Sequence, residues 1–215
     1  MFKNSVIIAG GNGVRMKPLT DYIPKALVKV DGIPLINNSI ELLTKHNIDI
    51  YVTYNYLPSM VFDKVNSKVK GFINTTNQDN SYFIFNSFIK YLNEPIIVIT
   101  CDLKIELDLY KLYDDYINNG SPSTMIVGTL PIDNIAGDYI FHDKNNFITS
   151  LDRNNKSEKY CCGVQIINPF KINQKCLPTN NFYGVWESLI NKKDIKVSNI
   201  SPDLWYSYDD LTQIK

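Results

Sequence analysis

Apolar positions along the chain fall into two patterns. Short runs rich in β-branched residues occur at "SVIIA" (Ser5–Ala9), "IYVTY" (Ile50–Tyr54), "IIVIT" (Ile96–Thr100) and "TMIVG" (Thr124–Gly128). Between them the apolar residues recur with the period of a helix. Runs apolar at every position suit strands covered on both faces, and the intervening helical stretches supply crossovers, so the pattern predicts an α/β domain with a mainly parallel sheet. One helix is expected to begin at Pro34, with Leu35, Ile36, Ile40 and Leu43 on one face. A second covers "LDLYKLYDDYINNG" and stops near Gly120. After Pro131 the texture changes to short strands, "GDYIFH", "FITSL" and "CCGVQII", separated by polar turns. A last helix over Tyr183–Asn191 and two strands, "DIKVSNI" and "LWYSY", close the chain. This reading gives one domain over residues 1–215, with a core at 1–130 and, at 131–215, an insertion or flap over the sheet together with closing C-terminal elements.

Composition narrows the picture little further. The chain has 215 residues, 44% of them apolar, which is enough for one sizeable core. Lys plus Arg and Asp plus Glu cancel at 22 each, so no overall field draws it to nucleic acid or to an acidic membrane, and neither is expected as a partner. Any anion must be held by local groups. The run Val6–Ala9 is too short for a signal peptide, no stretch has the length of a membrane span, and Cys101, Cys161, Cys162 and Cys176 have no CxxC spacing. Free thiols in a reducing cytoplasm fit that usage. Oligomeric state is not legible in the sequence.

The chemistry concentrates at the start. "IIAGGNGVRMKPLTDYIPKALVKVDGIPLI" places Gly10, Gly11 and Gly13 behind the first strand, with Arg15 and Lys25 ten positions apart after them. A bare loop of this kind turns backbone N–H groups toward an anion, and phosphate is the usual one. A dinucleotide fingerprint counted from Gly11 would need glycine where Met16 stands, and Pro18 opposes a helix there. A Walker loop would need Gly-Lys-Ser or Gly-Lys-Thr, which is missing.

This stretch resembles the signature of the nucleotidyltransferases that join a nucleoside triphosphate to a phosphate monoester, over nearly thirty residues. The resemblance implies a Rossmann-like, three-layer α/β domain with a mixed, mainly parallel sheet, magnesium as cofactor and pyrophosphate as co-product. It also implies roles. The loop backbone at Ala9, Gly10, Gly11, Asn12 and Gly13 lies along the triphosphate, Arg15 holds its outer phosphates, and Lys25, aimed by Pro24, sits at the α-phosphate. Such chemistry needs cations because an anionic oxygen attacks an anionic phosphorus. Asp102, directly after the "IIVIT" strand, stands where the family carries a metal-binding aspartate, with Cys101 where many members have a small residue. Asp209 in "WYSYDDLTQI" matches the family's second metal ligand, with Asp210 as the adjacent alternative.

For the triphosphate, "INTTNQDNSYFIFNSF" resembles the loop and helix of the cytidylyltransferase branch. It offers Gln78, Asn80 and Ser81 to read a pyrimidine, so the expected partners are CTP and a small phosphorylated acceptor. Within that branch the likeness runs first to the CTP:phosphoglutamine enzymes of capsular phosphoramidate synthesis, then to the phosphocholine enzymes. Gly163 matches the family glycine that lies against the acceptor, and Tyr139, Tyr183 and Trp186 are candidates to line that site. Two rivals stand beside this reading. One is a sugar-1-phosphate nucleotidyltransferase. The other is a non-catalytic relative, which should have lost Arg15, Lys25 or Asp102. His46 and His142 lack metal-ligand spacing and are expected at the surface or at an edge.

Overall fold

The computed structural model describes residues 1–214. Its strands and helices run β1 (Asn4–Ile8), β2 (Lys29–Val30), β3 (Ile33–Pro34), α1 (Ile36–Thr44), β4 (Asp49–Tyr54), α2 (Pro58–Val65), β5 (Gly71–Asn74) and α3 (Tyr82–Asn86). They continue with β6 (Ile96–Thr100), β7 (Leu103–Glu106), α4 (Leu109–Asn118), β8 (Thr124–Thr129), β9 (Tyr139–His142), β10 (Ile148–Asp152) and β11 (Tyr160–Ile167). The chain ends with α5 (Pro169–Lys175), α6 (Phe182–Asn191), β12 (Ile195–Val197) and β13 (Leu204–Ser207). Among the described residues, no helix is long and apolar enough to cross a membrane.

The main sheet has nine strands, and its principal path is β10-β9-β11-β6-β1-β4-β5. β5, β4, β1 and β6 are parallel, whereas β11 runs antiparallel between β6 and β8, and β12 pairs parallel with β8. Alternation along the strands sends side chains to two cores. Ile7, Val52, Ile97 and Ile99 join the core under α1, α2 and α4, while Val6, Ile73, Ile96 and Val98 join the core under α3, α5 and α6. Both faces of the parallel strands are therefore covered, which is why those strands are apolar at nearly every position. This is the mixed, mainly parallel three-layer arrangement that the sequence predicts.

Three expectations are corrected. The helix predicted from Pro34 starts at Ile36, because Pro34 pairs with Lys29 in the small β2–β3 hairpin and Leu35 N–H donates to Val28 C=O at 2.9 Å. The segment after Pro131 does not lie over the sheet as a flap, since β9, β10, β11 and β12 extend the same sheet. The strand read at "CCGVQII" begins one residue earlier, at Tyr160, and besides β8 on one edge it has two partners in turn on the other: its second half pairs with β6 from Val164 to Ile167, and Tyr160 pairs with Tyr139 of β9. The pattern also gave no sign of α2, β5, α5 or β7. The last of these forms a separate antiparallel ribbon with β13.

β1 has β4 on one side and β6 on the other, and the chain builds outward first through β4 and β5, then returns to β6. This reversal opens a crevice beyond the carboxyl ends of the strands, the usual place for a ligand in such sheets.

Candidate active site

That crevice is a cavity of ≈ 700 Å³. Its floor is formed by the strand ends, with Ile8, Thr53 and Thr100 among the lining residues, and its rim by the glycine loop, with Gly10, Gly11 and Asn12.

The loop is fixed by its own chemistry. Gly13 has φ +61, and a Cβ there would lie 2.8 Å from Thr20 Cγ2 and 3.0 Å from Lys25 Cβ, so the position needs glycine. Its carbonyl accepts from Thr20 Oγ1 at 2.8 Å, which pins the loop to the turn that follows. Ala9 is buried and donates its N–H to Thr53 Oγ1 at 3.0 Å, so it anchors the loop rather than lining the cavity. Arg15 and Lys25 sit on single 3₁₀ turns, Val14–Met16 and Lys25–Leu27. Leu27 N–H closes the second turn onto Pro24 C=O at 2.8 Å. A small separate core of Met16, Val28, Leu35 and Tyr208 holds this region together, and it places Arg15 beside Met16 and Asp209 beside Tyr208.

The cations and carboxylates converge. Lys25 Nζ donates to Asp102 Oδ2 and, at 2.6 Å, to Asp209 Oδ1. Arg15 Nη2 lies 3.2 Å from the same Asp209 oxygen. Lys25, Asp102 and Asp209 side chains are only 12%, 13% and 18% exposed, whereas Arg15 is 59% exposed. Burial alone would depress the Lys25 pKa, but the two carboxylates outweigh it and hold the ammonium above its ordinary value. Burial likewise opposes ionisation of Asp209, and Lys25 and Arg15 reverse that, holding its carboxyl below the usual range. Cys101 is the inert neighbour: burial, then the charge of Asp102, pushes its thiol up to about 12.

The ribbon of β7 and β13 explains how residues far apart in sequence meet. Ser207 pairs with Leu103, and Tyr208 N–H donates to Asp102 C=O at 3.0 Å, so Asp209 emerges opposite Asp102. Asp210 points elsewhere. Its carboxylate accepts from Thr212 N–H at 2.9 Å and caps the final 3₁₀ turn in a reciprocal capping box with Gln213. Asp102 Oδ1 is buried with no hydrogen-bond partner. No group of three or more His, Cys, Asp or Glu side chains able to hold a metal occurs among the described residues. Two carboxylates with one uncommitted buried oxygen fit magnesium, which takes one or two protein carboxylates and completes its shell from phosphates and water.

Of the residues expected to read the base, Gln78 and Asn80 line the cavity and Ser81 does not. Ser81 is fully buried and donates its hydroxyl to Thr179 C=O at 2.9 Å, which removes it from base reading. Asn80 Oδ1 accepts from Phe182 N–H at 3.2 Å, so that oxygen is committed to the start of α6. Gln78 keeps its amide free among the described residues.

On the acceptor side, Gly163, Tyr183 and Trp186 line the cavity, while Tyr139 packs instead on Tyr160 with ring centroids 5.8 Å apart. Trp186 Nε1 donates to Gln165 Oε1 at 3.1 Å. Gly163 marks the irregularity where β11 leaves β6, with φ +82. A Cβ there would lie 2.7 Å from Thr100 Oγ1. Gly163→Ala is therefore expected to cost about 1–2 kcal/mol of stability from the left-handed backbone alone, roughly 2–8 °C in melting temperature. A melt unchanged within error would show that the bulge relaxes freely.

The sequence reading missed Asp138 and Arg153, which also line the cavity. Neither belongs to a motif: Asp138 falls at the start of the strand read at "GDYIFH", and Arg153 in the polar turn after "FITSL". His46 rests edge-on against Tyr110 with ring centroids 5.1 Å apart, and His142 is exposed on β9, so neither faces the cavity.

A family model described as "Nucleotidyl transferase" matches residues 4–139. Over 206 residues the chain is 25% identical to the mannose-1-phosphate guanyltransferase 2 of Candida glabrata, a match covering 88% of this chain and 57% of that protein. It is 42% identical over 65 residues to the choline-phosphate cytidylyltransferase of Streptococcus pneumoniae, covering 30% of this chain and 28% of that one. The chain thus matches less than two thirds of the length of either relative. The inositol-1-phosphate CTP transferase of T. maritima superposes with a TM-score of 0.74 at 16% identity, covering 100% of this chain and 92% of that one.

Proposed function

The chain belongs to the nucleotidyl transferase family, and from that premise we propose that it moves the cytidylyl group of CTP onto a small phosphate monoester. The acceptor we favour is L-glutamine phosphate. An acceptor phosphate oxygen bonds to the α-phosphorus, the bridging P–O bond to the β-phosphate breaks, and pyrophosphate leaves with the electron pair. The observation that carries this reading is the buried Lys25 ammonium set between Asp102 and Asp209, with Arg15 beside it at the mouth of the glycine loop.

The residues divide the work by charge. Lys25 sits at the α-phosphate and offsets the repulsion between attacking and attacked groups, and Arg15 takes the charge that develops on pyrophosphate. The loop N–H groups of Gly10 to Gly13 orient the triphosphate along the rim. Asp102 and Asp209 would hold a magnesium ion. When bound, it supplies neutralising charge to the phosphates and makes pyrophosphate a better leaving group. No general base is required, since the acceptor phosphate is already ionised.

For the base, Gln78 lines the cavity, and its side-chain oxygen is the acceptor offered to the cytosine 4-amino group, whereas uracil presents a carbonyl there. With the amide held in that orientation by the bound nucleotide, opposing two acceptors costs about 1–3 kcal/mol, or roughly 5- to 150-fold in preference for CTP over UTP. A second reading, nucleotide-sugar synthesis, draws support from the guanyltransferase match, which runs over 206 residues. A matrix of CTP, UTP, GTP and dTTP against L-glutamine phosphate, phosphocholine and several sugar-1-phosphates, scored by pyrophosphate release, separates the two. CTP with the amino-acid phosphate is expected to be fastest. UTP, GTP or dTTP with a sugar phosphate in first place would replace the first reading by the second.

A further inference from the structure

At one end of the cavity, outside the cluster built on Lys25, lies a pair of opposite charges that the reaction as described does not use. Asp138 Oδ1 accepts from Arg153 Nε at 2.9 Å and from Tyr183 OH at 2.7 Å, and Arg153 Nε also lies 3.0 Å from that hydroxyl. The Asp138 side chain is 11% exposed and that of Arg153 is 63% exposed. Asp138 Oδ2 and both Arg153 Nη groups make no hydrogen bond among the described residues, although Asp138 and Arg153 line the cavity.

We propose that Asp138 and Arg153 select the acceptor, and that they select a phosphate monoester whose other end carries both an ammonium and a carboxylate. This rests on the reading of the cavity as a site of nucleotidyl transfer. A guanidinium recruited only to fasten β10 to β9 would be expected to grip the carboxylate through two parallel N–H groups. Here it is anchored through Nε alone, and its Nη edge remains available. A fixed carboxylate oxygen and a fixed Nη edge side by side match the two charges of an α-amino acid, the ammonium on Asp138 and the carboxylate on Arg153.

The same pair disfavours the other acceptor classes. A quaternary ammonium is held by an aromatic cage. Tyr183 and Trp186 supply two walls, with ring centroids 5.4 Å apart, but Arg153 adds a like charge next to them. A neutral sugar offers no charge to Asp138 Oδ2 or to the Arg153 Nη edge, so those groups would lose water without gaining a charged partner.

The test is a panel assayed with the full chain and CTP: L-glutamine phosphate, O-phospho-L-serine, phosphoethanolamine, 3-phosphooxypropionate, phosphocholine and glucose-1-phosphate. The wild type is expected to favour the two phosphorylated amino acids by about 10-fold or more in kcat/KM, the effect of one lost charge-assisted hydrogen bond. Asp138→Asn is expected to abolish discrimination between phosphoserine and 3-phosphooxypropionate, which lacks only the ammonium. Arg153→Gln is expected to abolish discrimination between phosphoserine and phosphoethanolamine, with partial recovery in Arg153→Lys. Equal losses on every acceptor, or no change in either variant, would overturn the proposal. If no pair of triphosphate and acceptor releases pyrophosphate, the reading as a transferase fails separately. Titration calorimetry of O-phospho-L-serine against wild type and both variants then decides the clamp: binding weakened in both variants sustains it, and absent or unchanged binding overturns it. Melting temperatures of the variants close to that of the wild type establish that each has folded.

Discussion

Lys25→Ala is expected to lower turnover by about 10²- to 10³-fold, the effect of removing one fixed charge aimed at a developing charge. A second consequence comes from the position of Lys25. Its ammonium is the shared partner of two carboxylates that are themselves largely buried. Removing it leaves Asp102 without a partner and Asp209 with Arg15 alone, so the two carboxylates repel each other, and breaking a buried pair in this way costs about 3–5 kcal/mol. The loss of activity should therefore come with a lower melting temperature. Arg15→Ala separates the two effects. Arg15 is 59% exposed and pairs with Asp209, which keeps Lys25 when Arg15 is gone, so its removal is expected to leave the melt nearly unchanged while cutting turnover about 10²-fold. Single-turnover rates and thermal melts on both variants give the comparison. Wild-type turnover in folded Arg15→Ala would mean that the loop does not serve a triphosphate.

Asp102→Asn and Asp209→Asn are each expected to cost about 10²-fold or more in pyrophosphate release, with Asp210→Asn within a few-fold of wild type. The contrast follows from position. Asp102 holds a buried oxygen with no partner and Asp209 faces it, whereas Asp210 caps a turn, a task asparagine performs as well as aspartate. Binding of Mn²⁺ in the presence of CTP, followed by electron paramagnetic resonance, supplies a readout apart from rate and should weaken in the first two variants only. Full activity in excess EDTA would remove the metal assignment altogether. A larger loss in Asp210→Asn than in Asp209→Asn would move the ligand by one residue.

Much of this site is local in sequence. Gly10 to Gly13, Arg15 and Lys25 fall within sixteen residues after β1, so the loop and the parallel strands are legible from spacing and period, and its two cations from the resemblance of that stretch. Asp102 is legible for the same reason, because a carboxylate following a strand that is buried at nearly every position must emerge at the strand's end. The resemblance of the opening thirty residues agrees with the family match over residues 4–139.

Other features depend on contacts between distant segments. The choice of Asp209 over Asp210 follows from the pairing of Ser207 with Leu103, a register between β13 and β7 that neither strand encodes alone. Ser81 and Asn80 look alike as polar residues at a helix start, and only the approach of Thr179 and Phe182 from α6 and the loop before it commits the serine hydroxyl and one asparagine oxygen. Tyr139 turns away from the cavity because strand alternation sends it against Tyr160, while its neighbour Asp138 turns inward. Asp138, Arg153 and Tyr183 come from β9's start, the turn after β10, and α6. Their meeting depends on β11 bending at Gly163 to carry the sheet past the end of β6. Period and spacing thus determine which faces are apolar, where strands end and which loop is bare of side chains, since these follow from interactions within one segment. The residues that would choose the acceptor were decided by tertiary packing, because hydrogen-bond partners drawn from separate elements leave no periodic trace in the chain.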